Sequence, residues 1–166
     1  NQPKISMVTD LKNGYDSVVG KLGFDHQLCL RHFEESLNNR LKEAVKKNKI
    51  GEYGEAELKY YLKIILRLKG LRNYEEAKKL LKLLTDNFNE FPKIIQEILS
   101  DFVLPQFKSL TLFLRDPNVP KTNNFCENIF NKKNPRYKKN QGKTKEGTKA
   151  RCALKERRWD RLNAKF

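Results

Sequence analysis

The chain has 166 residues, 35 Lys+Arg against 20 Asp+Glu, and a formal charge of +15, which places its pI near 9.8. A charge that far from zero points to a polyanionic partner, while 38% hydrophobic and 10% aromatic residues supply a packed core and exclude collagen-like or wholly disordered chains. No apolar run approaches the roughly 20 residues of a membrane span, the opening Asn1-Gln2-Pro3-Lys4 is unlike a signal peptide, and the widely spaced Cys29, Cys126 and Cys152 suit reduced thiols, so a soluble cytoplasmic protein is expected.

In chain order, Ile5-Ser6-Met7-Val8 reads as a short, buried strand that delivers Asp10 to its carboxyl end. Leu11 to Leu22 then reads as a helix, with Tyr15, Val18, Val19 and Leu22 at helical spacing and Gly23 where a helix stop belongs. His26 to Leu30 is a second strand, so the chain opens β-α-β. Helices follow. Phe33, Leu37, Leu41 and Val45 form one stripe, and Leu58, Tyr61, Leu62, Ile65 and Leu68 form another that ends at Gly70. Asn73 and Glu76 make a capping box before Ala77, Leu80, Leu81 and Leu84. Pro92 opens a helix carrying Ile94, Ile95, Ile98, Leu99 and Phe102, and Pro105 opens another with Phe107, Leu110, Phe113 and Leu114. The block therefore reads as about five helices.

Asp116-Pro117-Asn118-Val119-Pro120 is a turn-rich break, after which Thr122-Asn123-Asn124 offers capping chemistry to a helix with Phe125, Glu127, Ile129 and Phe130. Residues 132–149 are nearly devoid of apolar side chains and read as a basic loop, followed by a last helix over 150–162. The charge is concentrated here. Residues 1–120 hold 20 basic and 16 acidic side chains, net +4, whereas residues 121–166 hold 15 and 4, net +11. Lys132, Lys133, Arg136, Lys138, Lys139, Lys143, Lys145, Lys149 and Arg151 are the expected DNA-binding residues, with Tyr137 among them for stacking; Trp159 suits either stacking or packing.

Three features carry chemistry. Asp10 is either an N-cap for the helix that follows or a ligand at a strand end, where catalytic groups of α/β architectures collect. Glu127 completes a capping box with Asn124, or serves as a second carboxylate holding a divalent cation. Cys29-Leu30-Arg31-His32 has metal-ligand spacing, with His26, Cys126 and Cys152 the remaining soft candidates for a zinc set. The structural alternative buries Cys29 and hydrogen-bonds His32, which then lies near enough to the carboxylates to contact a phosphate.

Thr9-Asp10-Leu11-Lys12-Asn13-Gly14-Tyr15, the segment His26 to Phe33 with its C-x-x-H, and Thr122-Asn123-Asn124-Phe125-Cys126-Glu127 together resemble the later part of a DDE/D transposase. They are most similar to the prokaryotic relatives of the Mutator-like group. The resemblance implies an α/β, mostly α, fold: a partial RNase H-like core over 1–33, a helical insertion over 34–115, and a return to the core with the Glu127 helix, basic loop and terminal helix over 116–166. It also implies that Asp10 and Glu127 are the second and third catalytic, metal-binding carboxylates. Mg²⁺ or Mn²⁺ is the implied cofactor and DNA the implied partner, in phosphodiester cleavage and strand transfer. Only nine residues precede Asp10 and none is acidic, so the first catalytic Asp of the family is absent. A clipped or degenerate transposase, inactive alone, is therefore expected. Two strands leave edges to be covered by helices or by a second copy, so a homodimer is among the expected arrangements. The competing class is a non-catalytic helical nucleic-acid-binding or adaptor protein, in which Asp10 and Glu127 are only caps.

Overall fold

The computed structural model of the chain describes residues 5–11, 14–124, 128, 149, 153, 154 and 157. Two strands, β1 (Ser6–Thr9) and β2 (Asp25–Leu28), pair in parallel with Met7 opposite His26 and Thr9 opposite Leu28. Parallel neighbours need a crossover, and α1 (Tyr15–Lys21) supplies it. This helix is shorter than the apolar spacing suggests. Gly14 stands before it at φ 100°, a left-handed conformation that suits glycine and delays the first turn to Tyr15. Gly23, at φ 67°, ends the unit as expected, with the Phe24 N–H reaching back to the Val19 carbonyl at 3.2 Å. Of the four apolar residues at helical spacing, Val19 is buried, whereas Val18 and Leu22 are 50% and 54% exposed; Ile5, just before β1, is 56% exposed.

The helical block packs beside the sheet. The first helix, α2 (Leu30–Asn48), buries Leu30, Phe33, Leu37 and Leu41. Next come α3 (Glu52–Leu66), extended by a 3₁₀ turn through Gly70, and α4 (Tyr74–Asp86). Phe33 stacks on Phe102 with ring centroids 5.6 Å apart, and the Arg40 guanidinium lies 4.3 Å from the other ring's centroid. The Asn73 side chain accepts from the Glu76 N–H at 2.9 Å. Glu76 returns to the Arg72 N–H at 2.8 Å and to the Asn73 amide at 3.2 Å, a capping box displaced by one residue.

The segment from 93 to 110 departs from expectation. Pro105 does not open a separate helix. One helical run passes through α5 (Lys93–Ile98), a π-helical turn (Leu99–Val103) and α6 (Leu104–Leu110) without a break. A proline ring inside an α-helix collides with the carbonyl four residues back, here that of Asp101. The widened π turn contains Asp101, so the run absorbs Pro105 there instead of stopping. Four long helical runs therefore stand where five helices are expected.

Gln27, fully buried on β2, fastens this run to the sheet. Its amide donates to the Leu28 carbonyl at 2.6 Å and, at 3.4 Å, to the Leu110 carbonyl, and its side-chain oxygen accepts from the Phe113 N–H at 2.9 Å. Leu28 and Leu30 share one core with Leu112, Phe113 and Val119, and the described chain through Thr122 forms one compact unit. A second unit comprises Asn123–Phe166. Residue 33 lies within α2, so the sheet and the helical block are joined by an unbroken helix. Among the described residues no helix is long and apolar enough to cross a membrane.

Candidate functional site

The carboxyl ends of parallel strands gather loop residues and helix starts, and ligands of open α/β sheets bind there. Asp10 follows β1 directly and is half-buried. It is not the cap of α1, whose capping position belongs to Gly14 and receives no side-chain hydrogen bond. Cys29 follows β2 and is completely buried; its N–H donates to the Thr9 carbonyl at 2.8 Å, continuing the sheet ladder past the last paired residue. His32 sits in the first turn of α2, its Nε2 3.2 Å from Arg31 Nη2.

The chain returns to this end from far away. Asp116 turns it, accepting from the Asn118 N–H at 3.0 Å through its side chain and from the Val119 N–H at 3.1 Å through its carbonyl. Val119 is buried, the Lys121 amine stands 4.9 Å from the Phe113 ring centroid, and the Lys121 carbonyl accepts from the Leu30 N–H at 3.0 Å. That last bond satisfies one of the donors left open at the start of α2. Three segments singled out in sequence thus converge: the end of β1 with Asp10, the Cys29 to His32 turn, and the returning chain at Lys121.

Beneath Asp10 lies a polar chain that spacing did not reveal. Thr9, almost wholly buried, donates its hydroxyl to the Asp10 carbonyl at 2.9 Å and lies 2.7 Å from His26 Nε2. His26 Nδ1 in turn is 2.7 Å from the Asp16 carboxylate, with the His26 side chain 10% and the Asp16 side chain 82% exposed. With both ring nitrogens committed, His26 is not available to complete a zinc set around Cys29 and His32. Among the described residues no group of three or more His, Cys, Asp or Glu is placed to hold a metal ion. Asp10 is thus the described member of the expected carboxylate pair. Glu127 and the basic residues Lys132, Lys133, Arg136, Lys138, Lys139, Lys143, Lys145 and Arg151 lie outside the described residues, as do Cys126 and Cys152; Lys149 is helical and exposed.

No family model matches the chain, and no solved structure matches it. It is similar to an uncharacterized 48.3 kDa protein of insertion element ISM1 from Methanobrevibacter smithii, with 26% identity over 147 residues. The alignment covers 89% of this chain and 37% of that protein, so the chain spans a little over a third of its relative's length. The sequence is thereby related to a protein carried by a mobile element.

Proposed function

We propose that the chain is part of the catalytic core of a DDE/D transposase of the Mutator-like group, in which Asp10 and Glu127 are two of the three carboxylates that hold Mg²⁺ or Mn²⁺ for phosphodiester cleavage and strand transfer on DNA. The observation that carries the reading is the Lys121 to Leu30 bond. It returns the chain, at Lys121, to the end of the sheet where Asp10 stands, about ninety residues after the chain left it. The insertion-element relative supports the same reading. So do Ile5, Val18 and Leu22, exposed apolar side chains of the kind that further elements of a larger RNase H-like core bury. The metal, when bound, supplies charge stabilisation and a deprotonated nucleophile. Asp10 would contribute one ligand from the end of β1, and the basic residues after Thr122 would hold the DNA backbone through salt-sensitive phosphate contacts.

The test is a Mn²⁺ titration of the chain followed by electron paramagnetic resonance. Asp10→Asn and Glu127→Gln are each expected to weaken binding by about tenfold or more, since removing one charged ligand costs more than the roughly 1.4 kcal/mol that a factor of ten represents. Equal Mn²⁺ affinity in wild type and both variants would overturn the reading and leave a nucleic-acid-binding protein without a metal centre. DNA binding alone does not separate the two, because both lose affinity with salt.

A further inference from the structure

We infer that Asp16 and His26 are positioning residues that act through the Thr9 hydroxyl on the backbone of Asp10. The inference rests on the reading above only for the importance of Asp10; the contacts themselves are independent of it. Parallel register puts Thr9 and His26 on the same face of the sheet, two residue pairs apart, and α1 lays Asp16 against the far side of the imidazole.

Counting protons defines the device. Thr9 has one hydroxyl proton and two neighbours that accept it, the Asp10 carbonyl and an unprotonated Nε2. With Asp16 ionised and both ring nitrogens protonated, all three short contacts are satisfied: Nδ1–H donates to Asp16, Nε2–H donates to the Thr9 oxygen, and the Thr9 hydroxyl donates to the Asp10 carbonyl. When Nε2 loses its proton, the Thr9 hydroxyl turns to the ring and the Asp10 carbonyl is released. No atom is transferred to a ligand; one proton leaves the imidazole and one hydrogen bond changes acceptor. The proton on His26 therefore decides whether the residue at the end of β1 is held from its backbone.

The charged groups facing His26 come from three sides. Asp16 approaches from α1 and Asp25 neighbours it on β2. Lys108 of α6 and Arg115 beyond it line, with His26 and Asp25, a cavity of about 310 Å³. Arg115 is held there by its bond to the Lys108 carbonyl at 2.8 Å and by the Tyr74 ring, whose centroid is 5.4 Å away. Asp16 is in hydrogen-bond contact with the ring, and its exposure leaves the device open to solvent protons.

The experiment is nuclear magnetic resonance on the whole chain labelled with ¹³C and ¹⁵N, following the His26 ring nitrogens and the Asp10 carbonyl carbon as pH is varied, with the protonation of the ring read from its own nitrogen shifts. In wild type the Asp10 carbonyl signal is expected to move in step with the His26 nitrogens. Thr9→Ser keeps the hydroxyl and is expected to keep the coupling, whereas Thr9→Val and His26→Gln lose it. An Asp10 signal that does not follow His26 in wild type would overturn the inference, as would coupling that persists in Thr9→Val. Should Thr9→Val fail to fold, His26→Gln decides alone: a pH-dependent Asp10 signal that survives in it refutes the device. None of these readouts uses metal or DNA, so loss of the transposase reading and loss of this inference are separately visible.

Discussion

Replacing Gln27 by Met isolates the joint between sheet and helices, because Met keeps the length of the side chain and removes its donors and acceptor. The Phe113 N–H then loses its 2.9 Å acceptor in a site sealed from solvent, at a cost of about 1–3 kcal/mol. The Leu28 carbonyl loses a 2.6 Å donor, adding roughly 1 kcal/mol, while the 3.4 Å contact to Leu110 is too long to contribute much. Burying a thioether in place of an amide returns about 1 kcal/mol. The balance is a loss of about 2 kcal/mol, which for a chain of this size lowers Tm by about 4–8 °C. Thermal and urea melts followed by far-ultraviolet circular dichroism measure it. Gln27→Glu is the companion variant: it keeps an acceptor for Phe113 but places a carboxylate in the core, and is expected to be worse than Met at neutral pH. A Gln27→Met protein melting within about 2 °C of wild type would refute the reasoning, since a buried N–H without an acceptor is not that cheap.

Two further substitutions test local readings. Gly54→Ala within α3 would ordinarily gain up to about 1 kcal/mol of helix propensity, but a Cβ there meets Ile50 Cγ2 at 2.6 Å, so no gain or a net loss in urea midpoint is expected. Asn73→Ala removes the side-chain acceptor of the Glu76 N–H at the start of α4 and is expected to cost about 1 kcal/mol in the same melts, with Asn73→Ser restoring most of it.

The helical stripes were legible because burial in a helix repeats every 3.6 residues: Phe33, Leu37 and Leu41 are spaced that way and all are buried. Gly23 and Asn73 were legible because stops and caps are made by the residue itself and its nearest neighbours. The stripe of α1 misled, since periodicity reports which face is apolar and not what covers it; Val18 and Leu22 have the spacing without the cover. Pro105 misled because a helix start and a proline absorbed by a π turn look alike in one dimension. Nothing in the spacing of Thr9, Asp16 and His26 joins them. Their contact is created by parallel register and a short crossover helix, as the meeting of Leu30 with Lys121 is created by the whole block between them.

The Leu30 to Lys121 bond also sets an order of assembly. Helices α2, α3 and α4 are built from contacts near in sequence, which form in microseconds, whereas pairs this far apart wait for the intervening chain to be arranged. Gln27 and Phe113 are 86 residues apart and close with the same late step. The end of the sheet bearing Asp10 is therefore completed by a residue that follows the whole helical block in sequence, and a chain without residue 121 leaves the Leu30 N–H without this acceptor. A ribosome-bound chain stopped short of that point would hold finished helices beside an unfinished site, so the helical block is the scaffold on which the site is assembled last.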